Sequence, residues 1–379
     1  MLHGDVDGQT AMRRANLRRA LQLILDAEGE ETRAGIARAT GLTAATASSL
    51  VAELIENRLV VDGARAASTG GKRATTLDVD PAHHLLLVLV LRRADADAAL
   101  VALDGTAAHR EGIAYTPAGR DAAIRDLVER VSERFGPRLL AASVQLPGAT
   151  DGRIVLESVL LGWKDHPLAE QLEAALQVPV LLVNDVDAEA VAEQIAHRSD
   201  AIRRLFLHIG DGIGAAITVD GELTPGAPAR VGEIGHVQVV FGDEAVACRC
   251  GQRGCLESAA SAPAMLGEDF REGMDPDAFA GLVARADPGR LAHGAVALGR
   301  VVQLLGAMLD PDEIVIGGAA AGLGEDFLER VRAETRHAPR GTVAASLRAA
   351  TPGIGAHVGA AQLALISALG VRWNAERFA

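Results

Sequence analysis

The chain has 379 residues, a net charge of −13, 49% hydrophobic residues and 3% aromatic residues. This length allows two or three domains with a large core. The acidic charge and the scarcity of aromatic rings argue against a general nucleic-acid-binding protein, because such proteins use basic grooves and aromatic stacking. The start of the chain lacks the basic patch and apolar run of a signal peptide, and the longest apolar run, residues 85–91, is too short to cross a bilayer. We therefore expect a cytoplasmic protein with no membrane partner.

The charge is unevenly distributed along the chain. Between Thr10 and Thr75 there are ten Lys and Arg residues against seven Asp and Glu residues, which gives this segment a charge of +3. The remainder carries 27 basic against 43 acidic residues, a charge of −16. The N-terminal segment therefore suits a polyanionic partner, and the rest of the chain does not.

Residues 16–27 and 44–57 carry apolar side chains at helical spacing. Between them, Ala37 is small enough for two helices to approach, and Gly41 can adopt the positive φ that turns the chain. Thr43 is suited to cap the following helix. This pattern predicts a helix-turn-helix, and we expect its second helix to present four residues to DNA: Thr43, Thr46, Ser48 and Ser49. The alternative is a three-helix interaction module without a DNA role.

Two short strand-like runs, residues 59–61 and 75–79, flank a basic tip that contains two glycines. This pattern predicts a wing. We expect Lys72 and Arg73 in its tip to contact a phosphate or a minor groove, where cationic side chains are favoured. Together these elements predict a winged helix-turn-helix DNA-binding domain at residues 1–80.

Strand-like apolar runs alternate with helical stretches from residue 85 onward, which indicates an α/β architecture. We expect strands at residues 85–91, 98–103, 141–145, 180–183, 205–209, 215–219 and 313–316. We expect helices at residues 120–134, 168–176, 186–198, 290–309 and 325–335. We assign residues 81–379 to this second domain. A C-terminal helix at residues 358–369 is a plausible surface for oligomer packing.

All three cysteines of the chain, Cys248, Cys250 and Cys255, fall within eight positions, and His236 lies shortly before them. Three thiolates and one imidazole supply the four donors that a closed tetrahedral zinc site needs. The pattern predicts a structural Zn²⁺. Two alternatives are reduced cysteines that pack as small hydrophobes, and a catalytic zinc, for which four protein ligands would leave no open position.

Several short motifs follow one another in a fixed order. They are LPG at residues 146–148, GW at 162–163, NDVD at 184–187, GDGIG at 210–214, GEIGH at 232–236, the cysteine loop ending at Glu257, and IGGA at 316–319. With the predicted winged helix-turn-helix, the chain resembles the transcriptional-regulator branch of the ROK family (repressors, open reading frames and kinases). The resemblance covers nearly the whole chain. It implies a two-lobed actin-like or ribonuclease-H-like domain that binds a sugar between its lobes.

The resemblance also implies a set of sugar-contacting residues: Asn184, Asp185, Glu233, His236 and Glu257. Carboxylate, amide and imidazole groups are the donors and acceptors that a sugar's hydroxyls need. His236 would serve twice, with one ring nitrogen on the metal and the other on a sugar hydroxyl.

In the kinases of this family, the residue at the position of Asp185 is the general base for phosphoryl transfer. They also carry an ATP phosphate loop, Asp-x-Gly-Gly-Thr. The matching positions here, residues 90–94, read VLRRA, and residues 81–104 contain no glycine. We therefore expect that kinase activity is lost, whereas residual nucleotide binding stays open. The rival interpretations are an ATP-dependent sugar kinase with an appended DNA module, and a zinc-dependent scaffold protein without a ligand.

Two further departures from the family pattern concern the effector. Val159 stands where the family often has Asn, and Asp187 stands where it has a second Asn. A sugar, a sugar phosphate and a non-sugar effector all remain compatible. The sequence predicts a non-enzymatic, sugar-responsive transcriptional regulator, a repressor that binds operator DNA as a symmetric dimer.

Overall fold

The computed structural model describes residues 8–65, 74–197, 199–224, 232–335, 346–352 and 355–374. The chain divides into two compact units, each built from separate stretches. The first comprises Met1–Leu146, Pro167–Val183 and His357–Ala379, and the second comprises Pro147–His166 and Asn184–Ala356. This division does not separate residues 1–80 from the rest, so our domain boundary at residue 80 stays a prediction.

The first unit opens with three helices and a small sheet. The elements are α1 Gly8–Asp26, β1 Glu31–Thr32, α2 Arg33–Thr40, α3 Ala44–Glu56, β2 Val60–Arg65 and β3 Thr75–Val79. The three strands pair in the order β1-β3-β2. Gly41 ends α2 with a φ of 70°, a left-handed conformation that glycine adopts without strain, and α3 then packs against α2. The predicted helix-turn-helix is formed.

A five-stranded sheet with the order β11-β7-β4-β5-β6 completes the first unit. Its elements are β4 Leu85–Leu91, β5 Asp95–Ala102, β6 Ala107–Ala114, α4 Arg120–Phe135, β7 Leu139–Leu146, α5 Leu168–Leu176, β11 Val180–Asn184 and α12 Ala356–Leu369. A short 3₁₀ turn, Gly136–Arg138, precedes β7. β4 to β6 form an antiparallel meander, and β7 lies parallel to β4. β4 is the central strand, so almost all of its side chains are buried, as its unbroken apolar run predicts.

A second five-stranded sheet, with the order β14-β13-β12-β15-β16, forms the centre of the second unit. Its strands are β12 Arg203–Ile209, β13 Ile213–Val219, β14 Glu222–Leu223, β15 Glu313–Gly318 and β16 Ser346–Ala349. β12 to β14 are antiparallel, and β15 and β16 continue in parallel. In both units an antiparallel meander is therefore extended by a strand parallel to its first strand: β7 beside β4 and β15 beside β12.

Helices cover both faces of this second sheet. They are α6 Asp185–Ala196, α7 Leu256–Ala260, α8 Ala262–Leu266, α9 Pro276–Ala284, α10 Pro288–Leu309 and α11 Glu325–Thr335. Leu205 and Leu207 of β12 pack with α7, α8, α10 and α11, whereas Phe206 packs with α6 on the opposite face. This alternation is the period of two expected of a strand. A small sheet of β8 Ala149–Thr150, β9 Val155–Ser158 and β10 Trp163–His166 lies in the same unit.

Among the described residues, one helix, α10, is long and apolar enough to cross a membrane by length and composition. Eight of its residues are buried, and five of them belong to the core of the second unit: Ala295, Ala297, Leu298, Val301 and Val302. Leu304 and Met308 near its end are exposed, so burial accounts for part of its apolar character.

Candidate functional site

The four predicted metal ligands come together in the second unit. His236 ends a 3₁₀ turn, Ile234–His236, and the cysteines lie in the loop that follows it. His236 Nδ1 is 3.7 Å from the Cys248 Sγ, and the Cys250 Sγ is 3.7 Å from the Cys255 Sγ. One ligand atom from each residue lies within 4.8 Å of the other three. The sequence pattern thus corresponds to one spatial cluster that could hold a metal ion.

Backbone hydrogen bonds shape the cysteine loop. The N–H of Cys248 donates to the carbonyl of Gln252 at 2.8 Å and closes a tight turn. Gly254 has a φ of 72°, and a Cβ at this position would lie 1.9 Å from the carbonyl oxygen of Val240. Any other residue here would push the loop away from its neighbour, so this glycine is required for the cluster.

The distances between the ligand atoms of the cluster suit an ion with tetrahedral coordination. With metal–sulfur bonds of about 2.3 Å, two sulfurs of a tetrahedron lie about 3.8 Å apart, whereas a disulfide bond is about 2.05 Å long. The observed 3.7 Å between the sulfurs of Cys250 and Cys255 matches the tetrahedral value. Without a cation, burial and the neighbouring thiols raise the pKa of Cys255 to about 12. A bound cation would allow the sulfurs to be thiolates, so the donor set fits a four-coordinate ion.

Glu257 lies two residues after Cys255 in α7 and is 9% exposed. Its Oε1 accepts hydrogen bonds from the Arg249 Nε at 3.3 Å and Nη2 at 3.1 Å. Arg249 Nη2 also donates to the carbonyl of Asp211 at 2.5 Å. Arg249 therefore fixes the Glu257 carboxylate and ties the cysteine loop to the glycine loop, defined here as residues 210–214. The sequence analysis missed Arg249, although its position between two cysteines was a usable signal.

Glu233 shares an electrostatic neighbourhood with two other predicted sugar contacts. Burial raises the pKa of Glu233, the neighbouring His236 opposes the shift, and the carboxylates of Glu257 and Glu157 add to it. The structure thus brings Glu233, His236 and Glu257 together and adds Glu157, which the sequence analysis did not single out.

Asn184 caps helix α6. Its Oδ1 accepts hydrogen bonds from the N–H groups of Val186 at 2.8 Å and Asp187 at 3.2 Å, and its Nδ2 donates to the carbonyl of Gly148 at 2.9 Å. The amide oxygen is the usual helix N-cap acceptor. Much of the hydrogen-bonding capacity of Asn184 is therefore used to position α6, and its predicted role as a sugar contact stays a prediction.

Asp185, the first residue of α6, lies beside a buried group that the sequence analysis missed. His208 is 4% exposed, with its Nδ1 2.8 Å from the Glu189 Oε2 and its Nε2 3.1 Å from the Glu272 Oε1. Burial opposes protonation, but these two carboxylates outweigh it and raise the pKa of His208 well above 6.5. Burial raises the pKa of Asp185 to about 8; the His208 charge opposes this shift, and Glu272 and Glu189 add to it. This raised pKa favours the protonated carboxyl, the form that can donate a hydrogen bond.

The glycine loop lies between these two groups of side chains. A Cβ at Gly210 would lie 2.4 Å from the His208 Nε2, and a Cβ at Gly212 would lie 3.2 Å from the Glu257 Oε2. The absence of side chains at these positions therefore lets the imidazole and the carboxylate approach the backbone of one loop. The glycine loop is the physical link between the cysteine cluster and the His208 cluster.

Two positions depart from the family pattern, and both have an unusual environment. Asp187 is half-buried in the first turn of α6, and burial raises its pKa to about 6. Val159 is 49% exposed, which is high for a branched apolar side chain.

The turn that follows β4 lies in the first unit and is closed by side chains. The Arg92 Nη1 donates to the Asp95 Oδ1 at 2.5 Å and to the Asp97 Oδ2 at 2.9 Å. The Tyr115 hydroxyl donates to the carbonyl of Arg92 at 2.5 Å. An arginine and two aspartates therefore fill the turn in which we expected the degenerate phosphate loop.

The candidate DNA-contacting residues lie at the start of α3. The Thr43 Oγ1 accepts a hydrogen bond from the N–H of Thr46 at 3.2 Å, which makes Thr43 the predicted helix cap. Thr43, Ser48 and Ser49 are exposed, and Thr46 is half-buried. Lys72 and Arg73, predicted for the wing tip, lie outside the described residues.

The class of protein follows from three features: an N-terminal helix-turn-helix, two mixed five-stranded sheets, and a cysteine–histidine cluster beside a glycine loop. It is an α/β protein with a sugar-kinase-like fold and an added helix-turn-helix. The sequence pattern of the ROK family matches residues 93–366, and the chain belongs to this family.

Relatives of the chain include both repressors and kinases. The xylose repressor of Caldicellulosiruptor bescii is 29% identical over 354 residues, which cover 85% of this chain and 88% of the repressor. The glucokinase of Halalkalibacterium halodurans is 29% identical over 240 residues, which cover 57% of this chain and 72% of the kinase. The crystal structure of a ROK family transcriptional regulator, a homolog of the E. coli MLC protein, superposes with a TM-score of 0.75 at 23% identity. It covers 94% of this chain and 96% of that one, and supports the fold.

Proposed function

We propose that this protein is a sugar-responsive, DNA-binding transcriptional regulator, a repressor that works in the cytoplasm as a homodimer. The observation that carries the proposal is the helix-turn-helix joined in one chain to a ROK domain. The similarity to a xylose repressor spans 85% of the chain, more than residues 93–379 contain, so it extends to residues before the ROK family match. Residues 1–80 would then be the DNA-binding domain and residues 81–379 the effector-binding domain.

The DNA contacts of the proposal are the exposed hydroxyls at the start of α3. Thr43, Ser48 and Ser49 are exposed there, with Thr46 beside them, and would meet phosphates and base edges in a major groove. Lys72 and Arg73 would add phosphate contacts from the wing. The net charge of +3 between Thr10 and Thr75 supports this assignment.

The effector site of the proposal is the group of polar side chains beside the glycine loop: Asn184, Asp185, Glu233, His236 and Glu257. Glu157 adds a further carboxylate. Carboxylates accept hydrogen bonds from sugar hydroxyls, and the protonated Asp185 can donate one. This surplus of carboxylates repels a phosphate, so a neutral sugar is better supported than a sugar phosphate.

The metal of the proposal is a structural Zn²⁺ held by His236, Cys248, Cys250 and Cys255. Zinc accepts this donor set in tetrahedral geometry and leaves no position for substrate. When bound, it would stabilise the cysteine loop that carries Arg249 and leads into Glu257.

Loss of kinase activity is the last part of the proposal. An ATP phosphate loop needs backbone N–H groups that the phosphates can approach, which glycines allow. The turn after β4 has no glycine and instead carries Arg92 paired with Asp95 and Asp97, which supports the loss of such a loop. The rival, an ATP-dependent sugar kinase, retains Asp185 but lacks this support.

Two assays test the proposal. Labelled DNA from upstream of the protein's own gene should bind the wild type, and Ser49→Glu should weaken binding at least tenfold because it adds a negative charge near the phosphates. Ala122→Glu, at an exposed position on α4, is a control for added charge. In parallel, a coupled assay of ADP release should show no turnover with D-glucose, D-xylose or N-acetyl-D-mannosamine. Turnover that Asp185→Ala abolishes would overturn the regulator in favour of the kinase.

A further inference from the structure

The end of the described chain, residues 370–374, lies against the first helix of the helix-turn-helix. The Gln22 Nε2 donates to the carbonyl of Arg372 at 2.9 Å, and the N–H of Arg372 donates to the Gln22 Oε1 at 2.9 Å. The Asn374 Nδ2 donates to the carbonyl of Asp26, the last residue of α1, at 3.4 Å. We refer to residues 370–374 as the C-terminal strap.

The pairing between Gln22 and Arg372 is specific for a carboxamide. Both backbone polar groups of Arg372 are satisfied by the two ends of one side-chain amide. A carboxylate in place of the amide would lose the donor, and a methyl group would lose both partners. A Cβ at Gly370 would lie 2.8 Å from the Arg18 Cδ, so the strap also approaches α1 closely one turn before Gln22.

The strap is anchored to the rest of the first unit by buried contacts. Trp373 is 2% exposed, and its Nε1 donates to the carbonyl of Leu103 at 2.8 Å. The backbone N–H of Trp373 donates to the Oε1 of Gln362 in α12 at 2.8 Å. The Gln362 Nε2 lies 3.4 Å from the backbone carbonyl oxygen of Trp373. Two consecutive strap residues are thus each held by a glutamine amide, Arg372 by α1 and Trp373 by α12.

We infer that the C-terminal strap is a positioning element that fixes α1 of the helix-turn-helix to α12 and to the sheet of the first unit. Because α1 packs against α3, which carries the candidate DNA contacts, the orientation of α1 determines the orientation of α3. α12 begins at Ala356, where the chain passes from the second unit into the first. The chain therefore runs covalently from the unit that carries the proposed effector site into α12, and the hydrogen bonds of the strap continue this route within the first unit to α1. The regulatory part of this inference rests on the proposed function.

Amide hydrogen exchange of the full chain tests the positioning role without any ligand. Gln22→Ala and the isosteric Gln22→Glu should each raise the exchange rate of the α1 amides near Asp26 at least tenfold. Trp373→Phe, which removes the bond to Leu103 and keeps an aromatic ring, should act in the same direction with a smaller effect. Gln171→Ala, at an exposed position in α5, is the matched control and should leave exchange unchanged. Unchanged α1 exchange in all three strap variants would overturn the inference.

The coupling role has its own readout. We first identify which of D-glucose, D-xylose and N-acetyl-D-mannosamine changes the affinity of the wild type for its upstream DNA. In Gln22→Ala, the DNA affinities with and without that sugar should then agree within twofold. Its affinity for the sugar should stay within twofold of wild type. If the sugar changes the DNA affinity of Gln22→Ala as much as it changes that of the wild type, the strap does not couple the two sites. A wild type that binds neither the DNA nor any sugar would contradict the proposed function, and the exchange result would still decide the positioning role.

Discussion

Arg249 and Glu257 form an ion pair in which the Nε and Nη2 of the guanidinium lie 3.3 and 3.1 Å from one carboxylate oxygen. Arg249 lies in the cysteine loop and Glu257 in α7, which follows it, and Arg249 Nη2 also donates to the carbonyl of Asp211 in the glycine loop. A carboxylate fixed in this way loses little conformational freedom when it accepts a hydrogen bond from a ligand. The pair therefore connects the cysteine–histidine cluster to the proposed effector site.

Arg249→Met tests this connection. The substitution keeps an unbranched side chain but leaves Glu257 buried without its cation, so we expect sugar affinity to fall about tenfold or more, near the 1.5–3 kcal/mol typical of a hydrogen bond to a charged group. Isothermal titration calorimetry measures the affinity, and the metal content should stay unchanged. Gln252→Ala, an exposed position in the same loop, is the control. Sugar binding at wild-type strength in Arg249→Met would contradict the role of the pair.

Loss of one metal ligand should disturb the effector site before it unfolds the protein. Cys250→Ser should reduce bound zinc to well below one ion per chain, measured by elemental analysis, and should lower the melting temperature. The response of DNA binding to sugar should be lost, because the loop that carries Arg249 is no longer held, whereas DNA binding itself persists. A Cys250→Ser protein that binds zinc fully, or that binds its sugar and responds normally, would show that the proposed metal role is wrong.

The raised pKa of Asp185 predicts a pH dependence of stability. The pKa is about 8 in the folded protein against 3.8 for an ordinary Asp, so the folded state binds the proton more tightly. The associated stability is fully present below about pH 3.8 and is lost as the pH rises towards 8. Asp185→Asn has no such loss and should gain roughly 2–5 kcal/mol relative to the wild type between pH 4 and pH 8. Urea unfolding at several pH values measures this difference.

The control for this pH series is Asp243→Asn, at an exposed position in the second unit. We expect its stability relative to the wild type to be the same at pH 4 and pH 8. If the free energies of unfolding of Asp185→Asn and the wild type differ by the same amount from pH 4 to pH 8, the pKa of Asp185 is not raised. His208 titrates in the same direction and its charge acts on Asp185, so the difference between Asp185→Asn and the wild type reports the coupled pair.

Glu313 predicts the opposite pH dependence. Its carboxylate is 6% exposed and pairs with Arg204 at 2.5 Å and Arg348 at 2.8 Å. Burial alone would raise the pKa of Glu313, but the two arginines outweigh burial and lower it. Its contribution is therefore present above about pH 4.5 and is lost as the pH falls below this value. Glu313→Gln should cost about 3 kcal/mol at pH 7, because it leaves two arginines without their shared partner, and less near pH 3.

Glu325→Gln provides the matched comparison, because Glu325 pairs with Arg332 at an exposed surface. Its cost should lie within about 1 kcal/mol, as is typical of surface ion pairs. Equal costs for the two substitutions at pH 7 would contradict the structural importance of the Glu313 pairs.

The sequence predicted most elements because their local signals agree. The apolar run at residues 85–91 is strand β4, and the helix at residues 168–176 is α5 with the same bounds. Gly41 and Thr43 take the predicted turn and cap conformations, since both depend on a few neighbouring residues. The first helix begins at Gly8, earlier than the predicted residue 16, because its first turns carry no apolar stripe.

The parts of the site that the sequence did not reveal depend on tertiary contacts. Glu189 lies in α6, His208 in β12 and Glu272 in the segment after α8, 64 residues beyond His208, so the three meet only through tertiary packing of the second unit. A histidine within the apolar strand β12 was the one local signal. The cysteine cluster was predictable because its four ligands lie within 20 residues, so their spacing alone restricts their geometry. The C-terminal strap carried no recognisable pattern at all.

The most direct test of the central claim is a fluorescence-anisotropy titration of the upstream DNA with the full chain, with and without D-xylose, D-glucose or N-acetyl-D-mannosamine. The account predicts saturable binding and, with at least one of these sugars, a change in dissociation constant of about 5- to 150-fold, the usual range of allosteric coupling. No ATP should be consumed. DNA binding that is identical with and without every sugar, together with sugar-dependent ATP turnover, would contradict it.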